Sequence, residues 1–414
     1  MELPQTIFVG SLVVALLFYA FYSPIPSEID EPWKLRLCLA SAKMEQYVVR
    51  MIAWHYLSIL VIIAFSGEKK KWGFYGLVQE KMSLKKRTTS ICSHVYDTFF
   101  HGIRVRVYKP RGRSIREKSA GIIYFHGGGW VYGSVCKFNL DKIICFAYNS
   151  LMIFCFSSYR LAPEFPFPTP FFDCEIATKY FIENANSLNV DPNRITVMGD
   201  DAGGNMAAAV ALKLRSDEIK IKPKLQVLIY PLVQAIDYHL PSYMEKTHFM
   251  PEILTTKKVV TFLMSYMGVQ NDTMVEEFMR NDHTSAHVKQ HYYKHTDVEN
   301  LPEEFIPEGF KPAARTGGNI EISRRYEAFY LNQYFSPLLA EDHTNLPSAY
   351  ILICEHDVTR DDGMLYAKKL GKGKVSVKVE HYKRGFHGML SLVGDFKIAD
   401  KMMDDIAEYL LEKL

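Results

Sequence analysis

Val197-Met198-Gly199-Asp200-Asp201-Ala202-Gly203-Gly204-Asn205 lies between two segments of different rhythm. Before it, Arg194-Ile195-Thr196-Val197-Met198 is apolar and β-branched, the composition of a buried strand. After it, Met206-Ala207-Ala208-Ala209-Val210-Ala211-Leu212 is made of strong helix formers. Strand, glycine turn and helix in that order are the setting of a G-x-S-x-G elbow, which lifts a nucleophilic side chain above a sheet. Gly199 and Gly203 have a steric reason to be there. The turn strains its central residue, and the strand and helix approach too closely for side chains on either flank. The central position should hold a serine. Here it holds Asp201, and no other G-x-S-x-G occurs in the chain.

The surrounding composition supports a large folded domain: 414 residues, 48% hydrophobic, 23% charged. A net charge of +3 is too weak and too dispersed to argue for a nucleic-acid partner. Basic residues do cluster at Lys69-Lys70-Lys71 and Lys85-Lys86-Arg87, as solvated faces or as contacts to a membrane surface. The seven cysteines have no C-x-x-C spacing, so neither a zinc site nor a redox motif is expected, and no cofactor.

At the N-terminus, Ile7–Tyr22 is an uninterrupted apolar run. It ends in Tyr22-Ser23-Pro24-Ile25-Pro26 without the small-residue pattern of a cleavage site, so residues 1–24 are expected to be an uncleaved signal-anchor in a lipid bilayer. Residues 25–88 contain a second apolar run, Met51–Phe65, read as a cap helix against the membrane or as a second span. From 89 onward the pattern is that of one α/β domain. Ile103–Val107 alternates like a strand, and Lys109-Pro110-Arg111-Gly112 is a turn. Ala120–Phe125, Leu151–Ser157, Leu225–Tyr230 and Ser348–Cys354 are short apolar runs of the buried type, and Val375–Glu380 alternates. Phe171–Asn184 and Ile398–Leu414 have helical spacing. The alternation predicts a mostly parallel sheet covered by helices on both faces, within a domain over 89–414. Between about 234 and 346 the strand signal stops, and a helical cap is expected there. Asn271-Asp272-Thr273 in that stretch is an N-glycosylation sequon.

Three further signals fall in a telling order. His126-Gly127-Gly128-Gly129-Trp130 closes a strand ahead of the elbow, while Asp357 and His387 follow later strands. Elbow, acid and histidine in that order are the arrangement of α/β-hydrolases. A histidine takes the nucleophile's proton, a buried carboxylate fixes the imidazole, and glycine-loop N–H groups receive the oxyanion. At these residues the chain resembles the hormone-sensitive-lipase-like group, and within it the arylacetamide deacetylase family of microsomal esterases. The likeness includes H-G-G-G-W (126–130), Y-R-L-A-P (159–163), V-D-P-N-R-I (190–195), the G-D-x-A-G-G elbow (199–204), P-L-L-A-E-D (337–342), C-E-H-D-V-T-R-D-D (354–362) and R-G-F-H-G (384–388).

The resemblance implies an α/β-hydrolase fold with a helical cap and a type II anchor in the endoplasmic reticulum membrane. It implies a lumenal catalytic domain and hydrolysis of lipophilic esters and amides. It assigns the oxyanion hole to the His126, Gly127 and Gly128 loop with the N–H of Ala202, and has Asp357 orient His387. Asp201 falls on the nucleophile. A carboxylate attacking an ester would form an anhydride and pass no proton to His387, so serine-type hydrolysis should be impaired or lost. Three roles then compete for Asp201. It can cap the helix that follows it. It can pair with His387 and raise its pKa in a site that only binds lipophilic ligands. Or it can act as the nucleophile of an epoxide-hydrolase-like enzyme.

Overall fold

A single sheet of eight strands forms where the sequence alternates buried apolar runs with helices; the computed structural model describes residues 23–43, 94–110, 118–134, 152–217, 221–269, 271, 273–312, 314 and 316–414. In chain order the strands are β1 (His94–Phe100), β2 (Ile103–Lys109), β3 (Ser119–Phe125), β4 (Ile153–Ser158), β5 (Val190–Asp200), β6 (Leu225–Ile229), β7 (Ser348–His356) and β8 (Val377–Phe386). Across the sheet they run β1-β2-β4-β3-β5-β6-β7-β8. The β1–β2 and β2–β4 pairs are antiparallel and the rest are parallel. The chain therefore winds outward from β3 and β5 in both directions, and the strand ends at this centre carry the elbow and the glycine loop.

Residues of β3 and β6 are buried along their whole length, as both-face coverage requires. Alternate side chains serve two cores. Ile123, Phe125, Val197, Leu228 and Ile351 pack with Phe171 and Phe181 of α1 (Thr169–Glu183) and with the alanines of α2 (Ala202–Ser216). Ile122, Tyr124, Met198, Val227 and Tyr350 face the other way, onto Leu35, Leu39 and the Met402, Ile406 and Leu410 stripe of the C-terminal helix Lys397–Lys413. Ala207, Ala208, Ala209 and Ala211 are all buried, and their small side chains allow α2 to lie close to the sheet.

Among the described residues of 234–346 there are helices and no strands. They are α3 (Pro241–Glu245), α4 (Thr256–Tyr266), α5 (Thr273–Met279), α6 (Ala286–Tyr292) and α7 (Ile320–Tyr330), with short 3-10 turns between. Side chains of Thr255, Ser285 and Asn319 cap the starts of α4, α6 and α7. After β7 comes α8 (Arg360–Lys372), and after β8 comes α9 (Lys397–Lys413). Neither β1 nor α8 stood out in the sequence. β1 is an edge strand with exposed Val95, Tyr96 and Phe99, so its two faces do not alternate cleanly. α8 starts on a charged run, Arg360-Asp361-Asp362, whose side chains are buried in ion pairs and hydrogen bonds and so give no amphipathic signature.

Among the described residues no helix is long and apolar enough to cross a membrane. The expected anchor Ile7–Tyr22, the apolar run Met51–Phe65, the basic clusters at Lys69–Lys71 and Lys85–Arg87, and the Arg111-Gly112 half of the expected turn lie outside the described residues.

Candidate active site

β5 ends at Asp200 and α2 begins at Ala202, so the whole reversal falls on Asp201. Its backbone sits at φ 52°, ψ −119°, a conformation that a residue with a Cβ enters only under constraint. The constraint is visible on both sides. A Cβ on Gly199 would stand 2.2 Å from the Gly203 carbonyl oxygen, and one on Gly203 would stand 2.0 Å from that of Phe125. Asp201 N–H donates to Ile229 O (2.9 Å), and its carbonyl accepts from Asn205 N–H (3.1 Å). Asp201 is thus the N-cap residue of α2 by position, yet its side chain accepts no capping hydrogen bond. The capping role is corrected by where the carboxylate goes instead.

It goes to the glycine loop that follows β3. Asp201 Oδ2 accepts the N–H of Gly128 at 2.9 Å and of Gly129 at 3.0 Å. Its other oxygen, Oδ1, faces His387 Nε2 at 3.5 Å. The neighbouring Asp200 takes the next N–H along the loop: Gly127 donates to Asp200 Oδ1 at 2.9 Å, and Tyr124 Oη donates to the same oxygen at 2.5 Å. Burial pushes the Asp200 carboxyl up to about 6, with the Asp201 charge adding to it against the donors from Tyr124 and Gly127. The expected oxyanion donors are therefore redistributed. Gly128 faces the elbow as expected, Gly127 does not because Asp200 holds its N–H, and Gly129 stands in its place. Three glycines in a row made the loop legible, but which two amides face the elbow depends on a turn with φ +111° at Gly128.

His126 is a buried support of the loop. Its ring stacks between Phe156 and Tyr159, with centroids 5.6 and 4.4 Å away, and Nδ1 lies 2.8 Å from Gly127 O. Tyr159 Oη donates to the His126 carbonyl at 2.6 Å. Ala202 is buried as the first residue of α2, where an N–H has no acceptor within its own helix.

The acid and histidine arrive from the other half of the sheet. Asp357 follows β7 and is buried; Thr359 donates to its Oδ1 through N–H (2.9 Å) and Oγ1 (3.0 Å). Asp357 Oδ2 lies 2.9 Å from His387 Nδ1, directly after β8. The imidazole also packs on Tyr230, 4.8 Å between centroids. Burial pulls the His387 pKa down, but the charge of Asp357, with the contacts to Asp201 and Asp357, outweighs it and carries the group up to about 10. The same pair works on Asp201. Burial raises its carboxyl, but His387 and the two glycine N–H groups overcome that and hold it below the usual carboxylate range. The imidazole thus lies between two carboxyl groups, an arrangement that favours its protonated form.

Asn271 lies far from this centre in sequence and is exposed. Its Oδ1 accepts from Thr273 N–H (3.0 Å) and Thr273 Oγ1 (2.7 Å). Among the described residues no group of three or more His, Cys, Asp or Glu is placed to hold a metal ion.

A family model described as the alpha/beta hydrolase fold matches residues 122–302 and 319–391, which include every residue of the centre above. Neutral cholesterol ester hydrolase 1 of Bos taurus is 34% identical over 391 residues, 91% of this chain and 91% of that protein. Arylacetamide deacetylase of Bos taurus is 32% identical over 395 residues, covering 93% and 94%. Among solved structures, the thermostable carboxylesterase EstE1 from a metagenomic library superposes with a TM-score of 0.62 at 25% identity, over 83% of this chain and 98% of that one.

Proposed function

From the premise that this chain belongs to the α/β-hydrolase family, in its carboxylesterase- and deacetylase-like branch, we propose that its site binds lipophilic esters and amides without efficient serine-type hydrolysis. The observation that carries this is the position of the Asp201 carboxylate. One oxygen accepts two amides of the glycine loop, and the other faces the charged imidazole. An ester reacting in this fold needs those amides for the oxyanion of its tetrahedral intermediate, and a neutral imidazole to take a proton. Both are already engaged. The resting site holds a permanent negative charge where the transient one belongs, so an incoming carbonyl finds the hole filled and the base protonated.

The substrate class follows from the named relatives, a cholesterol ester hydrolase and an arylacetamide deacetylase, whose names specify lipophilic esters and amides. The roles then read as follows: Asp201 at the nucleophile position, Asp357 orienting His387, and Gly128, Gly129 and Ala202 N–H as the oxyanion donors. The chain is placed in the endoplasmic reticulum membrane as a type II protein, anchored through Ile7–Tyr22 with residues 89–414 in the lumen and 234–346 as the cap. The apolar run and the exposed sequon at Asn271 support this reading.

The test is a pair of assays on p-nitrophenyl butyrate. Asp201→Ser frees the loop amides and supplies the missing alcohol, and the variant should hydrolyse the ester at least about 100-fold faster than the parent, since loss of the serine in such centres costs on the order of 10⁶-fold. Equal rates in parent and variant would overturn the reading. Removal of N-glycans should shift the full chain on a gel, and Asn271→Gln should abolish the part of that shift due to this sequon; no change would place the domain on the other side of the membrane.

A further inference from the structure

The contacts that silence acyl transfer are arranged to support a different bond-breaking event. The geometry points to Asp201 as a nucleophile toward lipophilic epoxides, with His387 as the proton donor and the Gly128–Gly129 amides reserved for the second step. This rests on the reading above that the site receives lipophilic molecules.

Three observations combine. First, the two carboxylate oxygens of Asp201 have different surroundings: Oδ2 is held by two N–H groups, while Oδ1 faces the imidazole at 3.5 Å. The side chain retains 14% of its exposure. Second, Asp357 holds His387 Nδ1 at 2.9 Å, which turns Nε2 toward Oδ1 and leaves two carboxylates flanking the ring. Third, the oxyanion amides point at an atom bonded to Cγ of Asp201 itself.

An ester would waste this arrangement, because its own carbonyl oxygen would need the occupied amides. A saturated carbon makes no such demand. Oδ1 attacks a ring carbon of the epoxide from behind, the C–O bond opens, and the departing oxygen takes the Nε2 proton. The imidazole sits within reach of that oxygen because the carbon under attack must approach Oδ1 to about 3 Å. The products are a hydroxyalkyl ester on Asp201 and a neutral His387. With its neighbouring charge gone, the imidazole becomes a competent base. It takes a proton from water, and the hydroxide adds to Cγ of Asp201. The oxygen that becomes negative is Oδ2, already bound by Gly128 and Gly129 N–H. Collapse expels the alkoxide, which takes the proton of the new carboxyl group. A diol leaves, one water has been consumed, and Asp201 carboxylate and His387 imidazolium are restored. The ring strain of the epoxide supplies the driving force, and the proton held on Nε2 favours an alkoxide leaving group over a halide, which needs none.

The test follows the origin of the oxygen. The full chain, in excess over styrene oxide or phenyl glycidyl ether, is incubated in water enriched in oxygen-18. The expected result is heavy oxygen in the Asp201 carboxylate, read by mass spectrometry of the peptide containing it, and an unlabelled diol in the first turnover. Acid quench of the parent chain during the first turnover should reveal a peptide heavier by the mass of the epoxide, and His387→Gln, which lacks the proton donor for ring opening, should form that adduct far more slowly. Label in the diol alone, or no diol from either epoxide, overturns the inference. If that happens while Asp201→Ser hydrolyses p-nitrophenyl butyrate, the reading of a silenced ester site stands and only the aspartate chemistry fails. If neither reaction occurs, both fail.

Discussion

Two strand ends supply the charged groups of the centre, and they hold them by opposite means. On the β7–β8 side, Asp357 is fixed by the hydroxyl and N–H of Thr359, two residues away, and spends its remaining oxygen on His387. Its support is local and its direction is the one the fold ordinarily gives an acid. On the β3–β5 side, the elbow backbone is equally well kept, strained at φ 52° and boxed in by Gly199 and Gly203, but its side chain is held by a loop more than seventy positions away in sequence. The backbone of an active-site turn is thus enforced by packing, while the chemistry it displays is set by one side chain. A fold can retain the first after the second has changed. It can do so here without stranding a charge, because aspartate offers two acceptor oxygens and finds partners for both.

The comparison is sharpened most by a rate. In the Asp201→Ser background, Asp357→Asn should lower ester hydrolysis on the order of 10⁴-fold, the cost of losing the acid that fixes an imidazole in such centres. A drop of less than tenfold would mean that the β7–β8 arm is not the intact half. The next effect is on stability. Gly203→Ala in the parent chain forces a methyl within 2.0 Å of the Phe125 carbonyl and should cost about 3 kcal/mol or more, read as a fall in thermal midpoint or a loss of folded protein. A variant as stable as the parent would show that packing does not enforce the elbow.

A smaller effect is read against pH. His387 titrates at about 10 in the folded chain and near 6.5 when unfolded, so its contribution is complete below about 6.5 and disappears as pH rises through 10. The thermal midpoint of the parent should therefore fall between pH 7 and 10. In Asp201→Asn, which removes one of the two flanking charges, that fall should be smaller, by about 1.4 kcal/mol for each unit of pKa lost. Identical pH profiles would separate Asp201 from the imidazole. The smallest effect is Tyr159→Phe, which removes the hydroxyl that donates to the buried His126 carbonyl and should cost about 1 kcal/mol in chemical denaturation.

Much of this molecule could be read from its residues because local and global signals agree there. Buried strands such as β3 and β6 are apolar throughout, the glycines of the elbow have no alternative, and Asp357 and His387 fall where strands stop. What could not be read depends on aim. Asp at a helix start reads as a cap, and only the course of the glycine loop shows that the Asp201 carboxylate turns toward it. Gly127, Gly128 and Gly129 are identical in sequence, and the claim of Asp200 on the first shifts the pair facing the elbow by one. Nothing in the residues around Asp200 marks its role, because its partner, Tyr124, comes from a neighbouring strand. His126 looked like part of the chemistry because it precedes the glycines, yet aromatic neighbours from β4 and the segment after it claim its ring.

The adjacent pair Asp200 and Asp201 has one further consequence. Between them they accept three consecutive main-chain amides, Gly127, Gly128 and Gly129. A glycine-rich loop would ordinarily trade its hydrogens with solvent within moments. Here those protons should resist deuterium far longer than those of a loop left open for a substrate, so the slow signal in an exchange map of this chain should fall on a turn that its composition marks as the most pliable.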